Sequence, residues 1–137
     1  MDILHSRVLL AGHATGPVLK LDADISFWGG VDPASGTIID RRHPQYGQSV
    51  AGKIVAMYRS IGSSSGSSIL LELFRRKRAP SGIILVEADF IISLGAVVAK
   101  EMDFTGIPVV CVSPAGFAAL PLEVEINLSG EISAIKS

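Results

Sequence analysis

Cysteine, aromatic side chains and charge are all scarce in this 137-residue chain. Cysteine occurs once, at Cys111, and aromatic residues make up 6% of the total. A lone cysteine excludes an intramolecular disulfide, and a multi-cysteine metal site would need ligands from elsewhere. Only 18% of residues are charged, and 12 Lys+Arg against 13 Asp+Glu leave a net charge of −1. Nucleic-acid-binding domains carry a basic excess, so no nucleic-acid partner is expected. No basic segment followed by an apolar one opens the sequence, so no secretory signal is expected. Gly82 to Ala99 is the most apolar stretch, yet Glu87 and Asp89 sit near its middle. Two acids at mid-membrane depth would cost roughly 5 kcal/mol or more, so no membrane span is expected. The chain reads as soluble and cytoplasmic. Its 48% hydrophobic content is ample for a core and excludes intrinsic disorder. Without a repeat or a linker, residues 1–137 read as a single domain.

What is present is a sequence of strands broken once by a long punctuated segment. Ser6 to Ala14 reads as a strand, Thr15-Gly16 as a turn, and Pro17 to Leu21 as a second strand. Ile25 to Phe27 reads as a third short extended piece. Gly29, Gly30, Pro33, Gly36, Pro44 and Gly47 then punctuate a loop of unusual length. Ile54 to Tyr58 is a buried strand. Ile69, Leu70, Leu73 and Phe74 fall on helical spacing, so a helix is expected over Ser67 to Lys77. Ser67 or Ser68 would cap it, and Arg75 to Arg78 would complement its negative end. Gly82 to Glu87 is a strand, and Asp89 would cap a helix reaching Met102, weakened at Gly95. Ile107 to Val112 is a further strand, and Ser129-Gly130 turns a hairpin between Glu123–Asn127 and Glu131–Ile135. The fold class is α/β: a central βαβαβ unit with parallel strands, flanked by antiparallel or mixed sheet.

One segment looks built for chemistry. Tyr58-Arg59-Ser60-Ile61-Gly62-Ser63-Ser64-Ser65-Gly66-Ser67-Ser68 follows a strand and opens a helix. Backbone N–H groups at such a terminus lack intrahelical partners and attract anions, and small side chains let a ligand approach. A flexible turn with redundant caps is the plainer account. A P-loop needs Lys-Ser/Thr after its last glycine, which Ser67-Ser68 does not provide. Gly62 to Gly66 also fits the nucleophile elbow G-x-S-x-G, with Ser64 as nucleophile. That motif requires its histidine later in the chain, and His5, His13 and His43 all precede it.

The remaining motifs carry a resemblance. Ser26-Phe27-Trp28-Gly29-Gly30-Val31-Asp32-Pro33, Gly36-Thr37-Ile38-Ile39-Asp40, His43-Pro44 and Gly47 to Lys53 resemble the small subunit of the aconitase X family. The likeness continues through Gly62 to Ser67, Ala79-Pro80 and Glu87-Ala88-Asp89, and so spans roughly Arg7 to Pro114. It implies a swivelling β/β/α domain that closes over an active site carried by a large subunit, as a heterodimer or higher assembly. It also implies dehydration of a small hydroxy acid. In the wider family a serine after glycine in this loop is the catalytic base, which corresponds to Ser63. Gly62, Ser64 and Ser65 would bind substrate, and His43 would shape the active-site rim or serve only as a structural loop histidine. The arginine that grips a carboxylate in aconitase-like enzymes falls at Ser65 here, and the arginine of the archaeal phosphomevalonate branch is also missing. These departures point to the bacterial branch and to cis-3-hydroxy-L-proline, with phosphomevalonate as the alternative. A non-catalytic anion-binding module is the reading from a different class.

Removing a proton α to a carboxylate with a serine requires its alkoxide to be stabilised by N–H donors, as in an oxyanion hole. The departing hydroxide needs a Lewis acid. The resemblance places iron or an iron–sulfur cluster on the large subunit, and Cys111 reads as a core thiol. Asp32 and Asp40 read as turn residues, with a catalytic role as the alternative. Glu87 and Asp89 are candidates for a cleft, with helix capping the simpler role for Asp89. The Arg75-Arg76-Lys77-Arg78 run reads as a solvated helix end, and Trp28 as either core or partner contact. The chain purified alone should therefore contain no stoichiometric iron and show no dehydratase activity. Metal analysis and a turnover assay on the isolated chain check this, and bound iron at one equivalent would overturn it.

Overall fold

The computed structural model describes residues 3–59, 65–88, 90–102 and 106–135. Three short apolar segments organise it: β4 (Ile54–Met57), β5 (Gly82–Leu85) and β6 (Val109–Cys111), which run parallel. Every residue in all three is buried. A strand covered on both faces needs apolar residues at successive positions, which is why these segments read as unbroken hydrophobic runs. Alternation then deals their side chains to opposite sides. Val55, Met57, Ile83, Leu85, Val109 and Cys111 enter one core. Ile54, Ala56, Ile84, Val110 and Val112 enter another. Each fully buried Ile or Val contributes about 1.5–3 kcal/mol.

The first core is roofed by helices. α2 (Ser65–Arg75) contributes Leu70, Leu73 and Phe74, and α3 (Phe90–Glu101) contributes Ile92, Ala96 and Ala99. Leu21, Ile25, Phe27, Val31, Ile38 and Val50 complete it from the long segment ahead of β4. That segment holds α1 (Phe27–Gly30) and is stitched by isolated bridges Val31↔Ile38 and Thr37↔Ser49. Its punctuated sequence thus packs on itself. Phe27 belongs to α1, so the expected extended piece ends before it. α2 already includes Ser65, which puts Ser67 and Ser68 inside the helix rather than at its cap. α3 runs unbroken through Gly95, which is buried along with Ala96 and Ala99. Glu72 pairs with Arg75 and Arg76 at the end of α2, and Lys77 leaves the helix with φ 59°.

The second core is closed by antiparallel strands. β3 (Ala14–Lys20) is the seam, parallel to β4 on one side and antiparallel to β7 (Glu123–Ile126) on the other. Thr15 and Gly16 pair with Glu125 and Val124 inside this strand, so no turn forms there. Pairing of this half of β3 with β7 outweighs a local turn signal. β8 (Glu131–Ala134) follows β7 in the expected hairpin. α4 (Pro114–Ala118), capped by Ser113, sends Phe117 into this core from the connection after β6.

The amino-terminal segment joins the two ends of the sheet. β1 (Leu4–His5) pairs with β8, and β2 (Arg7–Leu10) pairs with β6. The strand expected over Ser6 to Ala14 is shorter, running Arg7–Leu10, with Ala14 instead opening β3, and β1 ahead of Ser6 is an unexpected addition. Strand order is β1-β8-β7-β3-β4-β5-β6-β2, and only Ser6 separates its first and last members. The sheet therefore closes on itself through the covalent chain, giving two β layers and a helical layer. Ser6 Oγ donates to the Gly130 carbonyl at 2.6 Å.

Gly130 has φ 82°, and a Cβ there would lie 2.6 Å from Val8 Cγ2 and 2.7 Å from Ser6 Oγ. Gly130→Ala should destabilise the fold by about 3 kcal/mol, combining left-handed strain with overpacking. Gly47 shares a positive φ of 88° but has open space around it. Gly47→Ala should cost only about 1 kcal/mol. Urea midpoints of the two variants check the difference, and equal midpoints would show that closure does not depend on Gly130.

Candidate active-site crevice

Four parallel strands end at one edge of the molecule, where open α/β sheets commonly form ligand crevices. The edge carries Leu21–Asp24 after β3, Tyr58–Arg59 after β4, Val86–Glu87 after β5 and Val112–Pro114 after β6. Pairing persists beyond the strands themselves. The Leu21 N–H donates to Ala56 O at 2.8 Å, Glu87 N–H to Tyr58 O at 2.9 Å, and Val112 N–H to Leu85 O at 2.8 Å. These bonds set the crevice on rigid backbone. An open cleft of about 300 Å³ is lined by Leu21, Asp22, Ala23, Asp24, Tyr58 and Phe117. A second, of about 430 Å³, lies between Asp24 and the Asp40–Arg42 segment.

One wall of the first cleft is buttressed from below. His43 is buried at 6% exposure. The Gln45 N–H donates to its Nδ1 at 3.0 Å, so Nε2 carries the hydrogen and donates to the Ala23 carbonyl, also at 3.0 Å. Gln45 in turn accepts from the Asp22 N–H at 3.0 Å and donates to Asp22 Oδ2 at 2.7 Å. His43 thus reaches the cleft only through the 22–24 segment that it holds.

Across the mouth lies an ion cluster. Arg59 Nε donates to Asp24 Oδ2 at 3.2 Å, and Nη1 to Glu87 Oε2 at 3.4 Å. The Asp24 hydrogen bond, followed by the charge of Glu87, raises the guanidinium pKa above its ordinary value. Tyr58 meets Phe117 edge-on with ring centroids 5.0 Å apart, and Lys20 Nζ sits 5.1 Å from the centre of the Phe117 ring. Aromatic surface and both signs of charge therefore converge beside the loop that joins β4 to α2.

Gly62, Ser63 and Ser64 lie outside the described residues, as does Asp89. Ser65 is the first described residue of α2, whose first-turn N–H groups have no intrahelical partners. Of the acids weighed from sequence, Glu87 is at the crevice. Asp32 accepts from the Ala34 N–H at 3.0 Å and the Ser35 hydroxyl at 3.1 Å, as turn chemistry requires. Asp40 accepts from the Arg42 N–H at 3.0 Å while lining the second cleft. Cys111 is buried in the helix-side core, and burial raises its thiol pKa. Among the described residues no group of three His, Cys, Asp or Glu could hold a metal, and no helix is long and apolar enough to cross a membrane. The pairing of Asp24 with Arg59 escaped sequence reasoning. Its only local trace is a charged residue at the junction of an apolar strand and a Ser-rich loop.

A family model of the aconitase X swivel domain matches residues 3–136. The chain is 47% identical over 105 residues to a cis-3-hydroxy-L-proline dehydratase from Pseudomonas aeruginosa, covering 77% of this chain and 18% of that protein. It is 39% identical over 104 residues to the phosphomevalonate dehydratase small subunit of Methanothermobacter thermautotrophicus, covering 76% of this chain and 75% of that one. The crystal structure of holo-form aconitase X from Thermococcus kodakaraensis superposes with a TM-score of 0.87 at 33% identity, over 99% of this chain and 100% of that chain. The chain thus spans less than a fifth of the hydroxyproline dehydratase and most of the small subunit.

His43→Ala would leave the Ala23 carbonyl and the Gln45 N–H without their partner. A loss of about 1–3 kcal/mol in stability is expected, as for other buried hydrogen-bonded groups. Thermal and urea unfolding check it. A variant as stable as the parent would show that the 22–24 wall stands without this buttress.

Proposed function

This chain belongs to the aconitase X swivel-domain family, and on that footing we propose that it is the small subunit of a hydro-lyase acting on cis-3-hydroxy-L-proline. The observation that carries the substrate is the 47% identity to a hydroxyproline dehydratase, against 39% to a phosphomevalonate dehydratase small subunit. The loop agrees, since Ser60-Ile61-Gly62-Ser63 has no arginine to grip a phosphate. Phosphomevalonate remains the second reading, favoured by the match to most of a free-standing small subunit. A large subunit is required in either case. The swivel sequence forms a minor part of one relative and most of another, so the rest of the active site is built from other sequence. Cytoplasmic residence follows from this assignment as part of the proposal.

In the reaction, Ser63 removes the proton α to the carboxylate and the β-hydroxyl leaves as water. The resulting enamine tautomerises to Δ1-pyrroline-2-carboxylate. A serine hydroxyl is a very weak acid, so its alkoxide needs preorganised donors. The first turn of α2 offers N–H groups that have no intrahelical partner, and the positive end of the helix dipole. Gly62, Ser64 and Ser65 would contact substrate along the same loop. Iron or an iron–sulfur centre belongs to the large subunit in this reading, and the described residues offer no ligand set for it.

Reconstitution with the large subunit should restore dehydration of cis-3-hydroxy-L-proline in preference to phosphomevalonate. Ser63→Ala should lower kcat by about a hundredfold or more, the usual scale for a lost general base. Complex formation and substrate binding should survive, because a loop hydroxyl contributes little to stability. Ser64→Ala and Ser65→Ala should cost less. Activity retained in Ser63→Ala but lost in Ser64→Ala would move the base by one residue and favour the nucleophile-elbow reading.

A further inference from the structure

The substrate just proposed differs from its rival in one chemical respect that the crevice can read. An imino acid carries a carboxylate and a secondary ammonium, whereas phosphomevalonate carries only negative groups. The carboxylate-gripping arginine expected by resemblance falls at Ser65, so that contact must come from elsewhere. Arg59 is the last described residue before the Ser-rich loop and lies between two acids at the ends of β3 and β5. We propose that Asp24, Arg59 and Glu87 read the substrate's head group, Arg59 taking its carboxylate and the two acids its ammonium. This deepens the hydro-lyase reading above and rests on it.

Three observations support the assignment. First, each acid touches Arg59 through a single contact, at 3.2 and 3.4 Å, which together occupy two of its five N–H donors. A fork with donors to spare suits bidentate capture of a carboxylate. Second, the Arg59 and Glu87 side chains are 54% and 58% exposed, and pairs this open to water hold little free energy. Substrate can therefore replace them cheaply. The same charges interact far more strongly once a covering subunit excludes water. Third, the cluster has one cation and two anions, so it accepts a zwitterion with its charges matched and opposes a polyanion. The backbone on both sides is fixed, by Glu87 N–H on Tyr58 O and by His43 on Ala23.

The test uses the complex of this chain with its large subunit and two unreactive ligands, L-proline and cyclopentanecarboxylate. They share a five-membered ring and a carboxylate and differ in the ammonium. Calorimetry should show proline binding about tenfold or more tighter, the scale of one charged hydrogen bond. Asp24→Asn combined with Glu87→Gln should bring that ratio close to one. Arg59→Ala should weaken both ligands together, with Arg59→Lys recovering part of the loss. In turnover the same substitutions should raise KM more than they lower kcat. An unchanged ratio in the double variant, or unchanged affinities in Arg59→Ala, would overturn the proposal. Thermal melts establish that each variant is folded. Failure of the hydro-lyase reading looks different: the parent complex would not turn over hydroxyproline, while the binding ratio is measured without turnover.

Discussion

Burial of β4, β5 and β6 on both faces is the constraint on which the rest of this structure depends. Such strands cannot be half polar, so their sequences are continuous apolar runs, and each run must supply two cores at once. One core demands helices over it, which α2, α3 and the long segment ahead of β4 provide. The other demands a second β layer, which β7, β8 and the amino-terminal strands provide. The three-layer architecture is the smallest arrangement that satisfies both faces. It leaves polar and charged residues to the strand ends and the outer surface.

The chemistry follows from the same constraint. Since the strand interiors are committed to packing, exposed polar and charged groups gather where the strands stop. Parallel direction puts the four carboxyl ends together, and crossover to α2 places a helix amino terminus beside them. The Asp24–Arg59–Glu87 cluster and the Tyr58–Phe117 pair converge there from separate parts of the sequence. His43, distant from the loop in sequence, enters through its hold on Ala23.

Local pattern and family resemblance made different parts of this legible. The apolar runs at Ile54, Gly82 and Val109, the spacing of Leu70, Leu73 and Phe74, and the terminal hairpin are all patterns within a few residues, and each formed the element expected. The α/β swivelling architecture needed the resemblance as well, because periodicity does not say which strands become neighbours. Errors arose where distant partners overrode a local signal. Thr15-Gly16 has turn composition, yet its pairing with Glu125 and Val124 of β7 holds it straight. Gly95 is a helix breaker in isolation, yet it is buried among small residues in an intact helix. The ion cluster was illegible because Asp24 and Glu87 lie 35 and 28 positions from Arg59, and nothing in the intervening sequence marks the encounter.

The split amino-terminal strand also governs the order in which the chain can assemble. β2 has no edge to join until residues 109–111 exist, and β1 has none until residues 131–134 exist. A polypeptide emerging from the ribosome must therefore carry these strands unpaired until their later partners have been made. Contacts of this sequence separation raise contact order and slow folding, because loop-closure entropy is lost before the pairing is gained. The helix-covered parallel layer can form beforehand from shorter-range contacts. Closure of the sheet runs through the single residue Ser6, and only a chain complete through β8 can achieve it.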